Sequence, residues 1–129
     1  MNETIRVLIV DDEVDLLSTL VERLEFRGIE AVGVQSGTQA LAQIAEKEFD
    51  VVVEDVKLKG EDGVEVMKRI LQVRPGLPVI LLTGHMSPET SQEGYRAGAS
   101  DYVLKPINLE DLIVKMQEAI AKNRKGESR

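Results

Sequence analysis

At 129 residues, 43% of them hydrophobic, the chain has the size of one domain able to bury one core without staples. It has no cysteine and a single histidine, His85, which excludes disulfides, thiolate catalysis, cysteine zinc sites and histidine metal clusters. The net charge of −7 argues against direct nucleic-acid binding. The polar start Met1-Asn2-Glu3-Thr4 and the lack of any run near the ~18 apolar residues of a membrane span make a cytoplasmic location, with no membrane contact, the expectation.

Ile5–Val10 predicts a first strand that runs into Asp11-Asp12, and its nearly unbroken apolar stretch Val7–Val10 predicts a central position covered on both faces. Leu17, Leu20, Val21 and Leu24 follow at helical spacing, and Gly28 is placed to end that helix. Val32–Val34 is the second strand, the one apolar run that stops on nothing reactive. Ser36-Gly-Thr-Gln39 reads as a capping box opening a helix with Leu41, Ile44 and Ala45 inward. Val51–Val53 runs into Glu54-Asp55, and Asp62-Gly-Val-Glu65 reads as a second capping box before a helix that Arg74-Pro75-Gly76 breaks.

Val79–Leu82 stops at Thr83, and Ser87-Pro88 fits an N-cap followed by proline at the first helical position. The helix that follows is poor: between Glu89 and Ala97 its only sizeable apolar side chain is Tyr95, and Gly94 lowers its propensity. It belongs at the low-stability end of the domain and is a candidate moving part. Tyr102–Leu104 stops at Lys105-Pro106, and Asn108 caps a last helix with the face Leu109, Leu112, Ile113, Met116 and Ile120. Five alternations of this kind predict an α/β fold, a (βα)5 doubly wound parallel sheet with right-handed crossovers. The expected organisation is one domain over 5–120, a disordered N-terminus over 1–4 and a polar, frayed tail over 121–129 where a linker or a truncation would fall.

In an open parallel sheet, ligands bind outside the carboxyl ends of the strands. Asp11, Asp12 and Asp55, the Thr83 hydroxyl and the Lys105 ammonium all belong to that edge. Either of the first two aspartates alone reads as a helix cap, but adjacent acids repel and one would suffice. With a third carboxylate they suit Mg2+, a hard cation that takes oxygen ligands. Asp55 can also attack phosphorus, with Lys105 as counter-charge and Thr83 as donor to a phosphoryl oxygen.

The segments Val7-Leu-Ile-Val-Asp11-Asp12-Glu13, Asp50-Val-Val-Val-Glu-Asp55-Val-Lys57-Leu58, Gly60-Glu-Asp62-Gly63, Leu82-Thr83-Gly84-His85 and Gly98-Ala-Ser-Asp-Tyr102-Val-Leu-Lys105-Pro106 together resemble the receiver domains of bacterial two-component response regulators over about residues 5–120. The resemblance implies a flavodoxin-like sheet of strand order 2-1-3-4-5 and a phosphorylation-activated switch that catalyses only its own phosphorylation and dephosphorylation. It implies Asp55 as phosphoacceptor, Asp12 as direct Mg2+ ligand, Asp11 as a ligand largely through water, and Lys57 as a ligand through its carbonyl. Thr83 and Lys105 match the phosphate-contacting pair, and Tyr102 the aromatic that turns inward when Thr83 moves. A cis Lys105-Pro106 bond is also implied. Implied partners are a sensor histidine kinase or histidine phosphotransfer protein and a downstream output domain or target, with a phosphorylation-dependent dimer as one form of output.

Lys57 and His85, two residues beyond Asp55 and Thr83, are expected to flank the path of an attacking water, which Gly84 leaves open. Two positions depart from the family pattern. Lys59 replaces a proline common before Gly60, which predicts a less rigid loop. Glu54 stands where apolar or small residues are usual. Strand alternation points it away from the face of Asp55, so it must find a partner, reach solvent or protonate. A phosphatase of the haloacid-dehalogenase type is a rival, but it wants an acid where this chain has Lys57 and an acidic pair late in the chain. A flavodoxin-like electron carrier is another, with aromatic content of 3% leaving few rings to stack on a flavin.

Overall fold

The computed structural model describes residues 4–127 and realises the alternation as β1 (Arg6–Val10), α1 (Val14–Phe26), β2 (Glu30–Val34), α2 (Gly37–Glu46), β3 (Val51–Asp55), β4 (Lys57–Leu58), β5 (Glu61–Asp62), α3 (Gly63–Val73), β6 (Val79–Thr83), α4 (Pro88–Ala97), β7 (Asp101–Leu104) and α5 (Leu109–Glu127). Five strands pair in parallel in the order β2-β1-β3-β6-β7, which is 2-1-3-4-5 among the main strands, as the family resemblance implies. The chain leaves β1 for one edge and returns to β3 for the other, so the crevice between the ends of β1 and β3 is the switch point where ligands bind. The small antiparallel hairpin β4–β5, turning through Lys59 and Gly60 (φ +73°), was not expected. Of the end segments set apart in the sequence, residues 1–3 and 128–129 lie outside the described residues, and α5 continues past 120 to Glu127.

Alternation along the strands divides the core in two. Val7, Ile9, Val51, Val53, Ile80 and Leu82 face α1 and α5, meeting Leu17, Leu20, Leu24, Leu112 and Met116. Leu8, Val10, Val52, Val79 and Leu81 face the other side, meeting Ala40, Ile44, Val64, Met67 and Ile70. Each such side chain taken fully from water contributes roughly 1.5–3 kcal/mol to holding the strands beneath the crevice together. The helix punctuation is largely as predicted. Gly28 takes φ +80° after α1, Ser36 accepts from Gln39 N, and Asn108 accepts from Asp111 N. Ser87 forms a full capping box with Thr90.

Three local expectations are corrected. Gln39 reaches Gln35 N, one residue before the cap, because its carboxamide is aimed past Ser36. Asp62 accepts from Val64 N, but Glu65 pairs with Lys68 one turn on instead of closing a box. Ala40 takes the buried position assigned to Ala45, which is exposed.

α4 is anchored as weakly as its sequence suggests: its only buried residue is Gly94. That glycine has a packing reason that propensity alone does not reveal. A Cβ there would lie 1.9 Å from the Tyr102 hydroxyl oxygen and 2.8 Å from its Cζ. The Tyr102 ring occupies the notch and meets Tyr95 edge to face at 5.3 Å, and its hydroxyl donates to Thr90 O at 3.0 Å. Burial raises the pKa of the Tyr102 phenol above its usual value. Gly94→Ala is expected to expel the ring despite a helix-propensity gain of about 1 kcal/mol. In a Tyr95→Phe background, ultraviolet titration should then show the remaining phenol ionising at lower pH, and an unchanged curve would mean that the ring stays in place.

Candidate functional site

Asp11 immediately follows β1 and is fully buried; its Oδ1 accepts from Glu13 N at 2.9 Å. Asp55 ends β3 with 6% exposure, and its Oδ1 accepts from Lys57 N at 2.8 Å. Lys105, just past β7 and joined to Pro106 by a cis bond, extends its ammonium across the crevice. Its Nζ lies 2.5 Å from Asp55 Oδ2, 2.8 Å from Glu13 Oε1 and 3.1 Å from Asp11 Oδ2. The last contact is ionic without hydrogen-bond alignment, so Asp11 Oδ2 is buried with no hydrogen bond. One oxygen each from Asp11, Glu13 and Asp55 lie within 4.8 Å of one another, close enough to share a metal ion. At Gly63 an added Cβ would sit 2.2 Å from Asp55 O, so only glycine lets α3 start this close to the end of β3.

Burial pushes the Asp11 carboxyl above its usual range, against the Glu13 amide and Lys105, which favour the charged form. For Lys105, burial would lower the pKa, but hydrogen bonds to Asp55 and Glu13 and the charge of Asp11 outweigh it and the ammonium is held above its ordinary value. The site is therefore a cation locked among acids, and further positive charge is welcome there.

The structure brings Asp11, Asp55 and Lys105 together as the sequence predicts. It adds Glu13, whose signal was the third acid of the Asp-Asp-Glu run. Asp12 does not join that group; its Oδ2 accepts the backbone N–H of Lys59. The Thr83 hydroxyl is turned to its own loop, donating to His85 O at 2.6 Å and accepting from His85 N at 3.2 Å. Tyr102, expected to turn inward when Thr83 moves, is already inward at 5% exposure while Thr83 keeps this contact. Lys57, Gly84 and His85 line one cavity of about 590 Å³ with Asp55, Thr83 and Tyr102.

The family model described as response regulator receiver domain matches residues 7–117. The chain belongs to that family. It is 34% identical to the transcriptional regulatory protein ZraR of Klebsiella oxytoca over 98% of this chain and 28% of that protein. It is 32% identical to the DNA-binding transcriptional regulator NtrC of Salmonella typhimurium over 89% of this chain and 24% of that protein. The chain thus spans about a quarter of the length of these relatives. Among solved structures it resembles a CheY-like receiver domain protein from Methanospirillum hungatei, with TM-score 0.89 and 34% identity over 96% of this chain and 99% of that one. It is a receiver domain of two-component response regulators, and neither the phosphatase nor the electron-carrier reading finds support in these comparisons. Among the described residues no helix is long and apolar enough to cross a membrane.

Glu54 is a buried acid one residue before Asp55. It lies between Val10 and Leu81 in the sheet, is 0% exposed, and neither carboxylate oxygen has a hydrogen bond. Of the three outcomes open to it, protonation is the one realised: burial first, then the charges of Glu61, Asp55 and Asp62, push its pKa up to about 9. Since the folded pKa is raised, both states hold the proton below the ordinary value of 4.5. Above that pH the unfolded state releases the proton first, so stability falls as pH rises until about 9, where the folded state ionises too. Glu54→Gln keeps the shape without the titration. In urea unfolding, its stability relative to wild type should climb between pH 5 and 8.5 by up to about 1.4 kcal/mol per pH unit. A pH-independent difference would show that Glu54 is ionised in the fold.

Proposed function

We propose that Asp55 receives a phosphoryl group from a phosphohistidine on a sensor histidine kinase or histidine phosphotransfer protein, and that the resulting charge resets the surface of α4, β7 and α5. The observation that carries the reading is the Lys105 ammonium held on Asp55 Oδ2, beside Asp11 and Glu13, at the switch point of a receiver sheet. An Asp55 oxygen forms the new bond to phosphorus as the bond from phosphorus to the histidine nitrogen breaks. Lys105 neutralises charge on the acceptor, and its three contacts fix where that charge sits. The Thr83 hydroxyl leaves His85 O to donate to a phosphoryl oxygen.

The donor set fits Mg2+: all ligands are oxygens, and Asp11 Oδ2 is buried without a hydrogen bond. Asp12, Asp55 and the Lys57 carbonyl would hold the ion, with Asp11 and Glu13 beside it. When bound, Mg2+ supplies electrostatic stabilisation of the transferring phosphoryl group. Lys57 and His85, facing the same cavity as Asp55, set how fast water reaches the phosphoryl group.

A phosphoryl group adds about −1.5 to −2 charges beside Thr83. α4, which buries only Gly94, is the element with least to hold it against the change. With Tyr102 buried and donating to Thr90 O, the movement is assigned to Thr83 and the 84–88 loop, with Tyr102 as the wall against which α4 shifts. The domain acts in the cytoplasm. Its output passes to a DNA-binding or other effector unit, as the names of the ZraR and NtrC relatives suggest, or to a second copy of the chain.

Treatment with acetyl phosphate and Mg2+ should add one phosphate to wild type and none to Asp55→Asn, read by intact mass; an undiminished adduct in the variant would rule out Asp55. Beryllofluoride, a phosphoryl mimic, should change hydrogen exchange over residues 84–102 in wild type and much less in Thr83→Ala. Identical exchange with and without the mimic would show that this face carries no signal.

A further inference from the structure

The hairpin that follows Asp55 is strapped across the sheet edge at three points. Lys57 N donates to Asp55 Oδ1 at 2.8 Å, and Gly37 N, in the first turn of α2, donates to Glu61 Oε1 at 2.8 Å. Between them, at the hairpin tip, Lys59 N donates to Asp12 Oδ2, a link between residues 47 apart in sequence. The Lys59 side chain is exposed and takes no part in that link, so what position 59 contributes to it is a backbone N–H. Proline is the one residue type that would lack it. The carboxylate so engaged is the one that stays out of the Asp11, Glu13 and Asp55 group.

We infer that the Lys59 amide is a latch that holds Asp12 away from the acidic group until a divalent cation competes for it, and that opening the latch frees the hairpin tip. The inference rests on the Mg2+ reading above and assigns Lys59 a positioning role, acting through Asp12. A hydrogen bond from an amide to a carboxylate is among the stronger kinds, so its loss is a real opposing term in metal binding. The consequence extends beyond the site. The hairpin pairs Leu58 with Glu61, and Glu61 caps α2 through Gly37 N. A Cβ on Gly37 would lie 2.7 Å from Glu61 Oε2, so the carboxylate is closely fitted to that helix start. Cation binding at one end of the hairpin is thereby felt at α2, on the other side of the crevice from α4.

The test uses the whole chain, labelled with 15N and titrated with Mg2+, alongside Lys59→Pro and Lys59→Ala. Proline is geometrically admissible, since among the described residues no non-glycine residue has positive φ and Leu58 before it is already extended. In wild type the Lys59 amide should be protected from exchange without Mg2+ and lose that protection at saturation, with the Gly37 amide shifting at the same concentrations. Lys59→Ala, which keeps the N–H, should bind Mg2+ as wild type does, and Lys59→Pro should bind about tenfold more tightly. If Lys59 stays protected in saturating Mg2+, or if Lys59→Pro binds no more tightly than Lys59→Ala, the latch is wrong and the Mg2+ site stands. Weaker binding by Lys59→Pro would also overturn it, since the amide would then be placing Asp12 for the ion. If wild type shows no Mg2+ response at millimolar concentration, the metal reading fails and the latch falls with it. The wild-type exchange measurement decides the matter even if the proline variant does not fold.

Discussion

The ammonium of Lys105, on three carboxylates from two other strand ends, is the contact around which this domain is arranged. Asp11 and Asp55 are almost wholly buried, and buried acids without a cation would protonate or force the crevice open. One ammonium cannot balance three acids, and the remaining negative charge defines what the site accepts. The sheet exists, from this viewpoint, to hold those groups at a fixed separation. β1 and β3 are adjacent, in register from Val7 with Val51 to Val10 with Glu54, so Asp11 and Asp55 emerge side by side at the same edge. Lys105 has to cross from β7 beyond β6, which a long flexible side chain can do and an aspartate or threonine there could not.

Two glycines show how the helices are fitted to this arrangement. Gly63 allows the start of α3 to touch the backbone of Asp55, which fixes the loop whose amide at Lys57 orients the Asp55 carboxylate. Gly94 allows α4 to lie over the Tyr102 ring. The first contact stiffens the site; the second gives a poorly anchored helix one well-shaped seat. The closely packed side of the crevice thus holds the acids and Lys105, and the thinly packed side is α4.

Most of the fold could be read from the sequence because its signals are local. Apolar runs, helical spacing and caps each depend on a few neighbouring residues, and Gly28, Ser36, Ser87 and Asn108 behave as their types predict. Asp11, Asp55 and Lys105 were legible for a related reason: a residue at the end of a buried parallel strand has little choice of direction. Beyond the strand end that rule lapses. Whether Asp12 or Glu13 turns toward Lys105 depends on a hairpin 47 residues away whose amide captures Asp12, and no local pattern encodes that. The state of Tyr102 was hidden for the same reason, since its seat is a missing side chain on another element. Gly94 looked like a defect in a helix when it is space for a ring.

Glu54 is where local and global demands conflict. Alternation placed it correctly on the face opposite Asp55, yet that face is apolar, lined by Val10, Val52, Leu81 and Tyr102. A carboxylate there lacks a cation, and the acids grouped nearby, Glu61, Asp55 and Asp62, all disfavour its ionised form. Kept neutral, it adds no further negative charge beneath an Asp55 already crowded with acids. Were it ionised, its field would act on Asp55 through the low-dielectric sheet, where like charges are poorly screened from one another. The stability lost by burying an acid is then separable from the chemistry of the site: the penalty falls on folding, and the electrostatics around Asp55 stay those set by Asp11, Glu13 and Lys105.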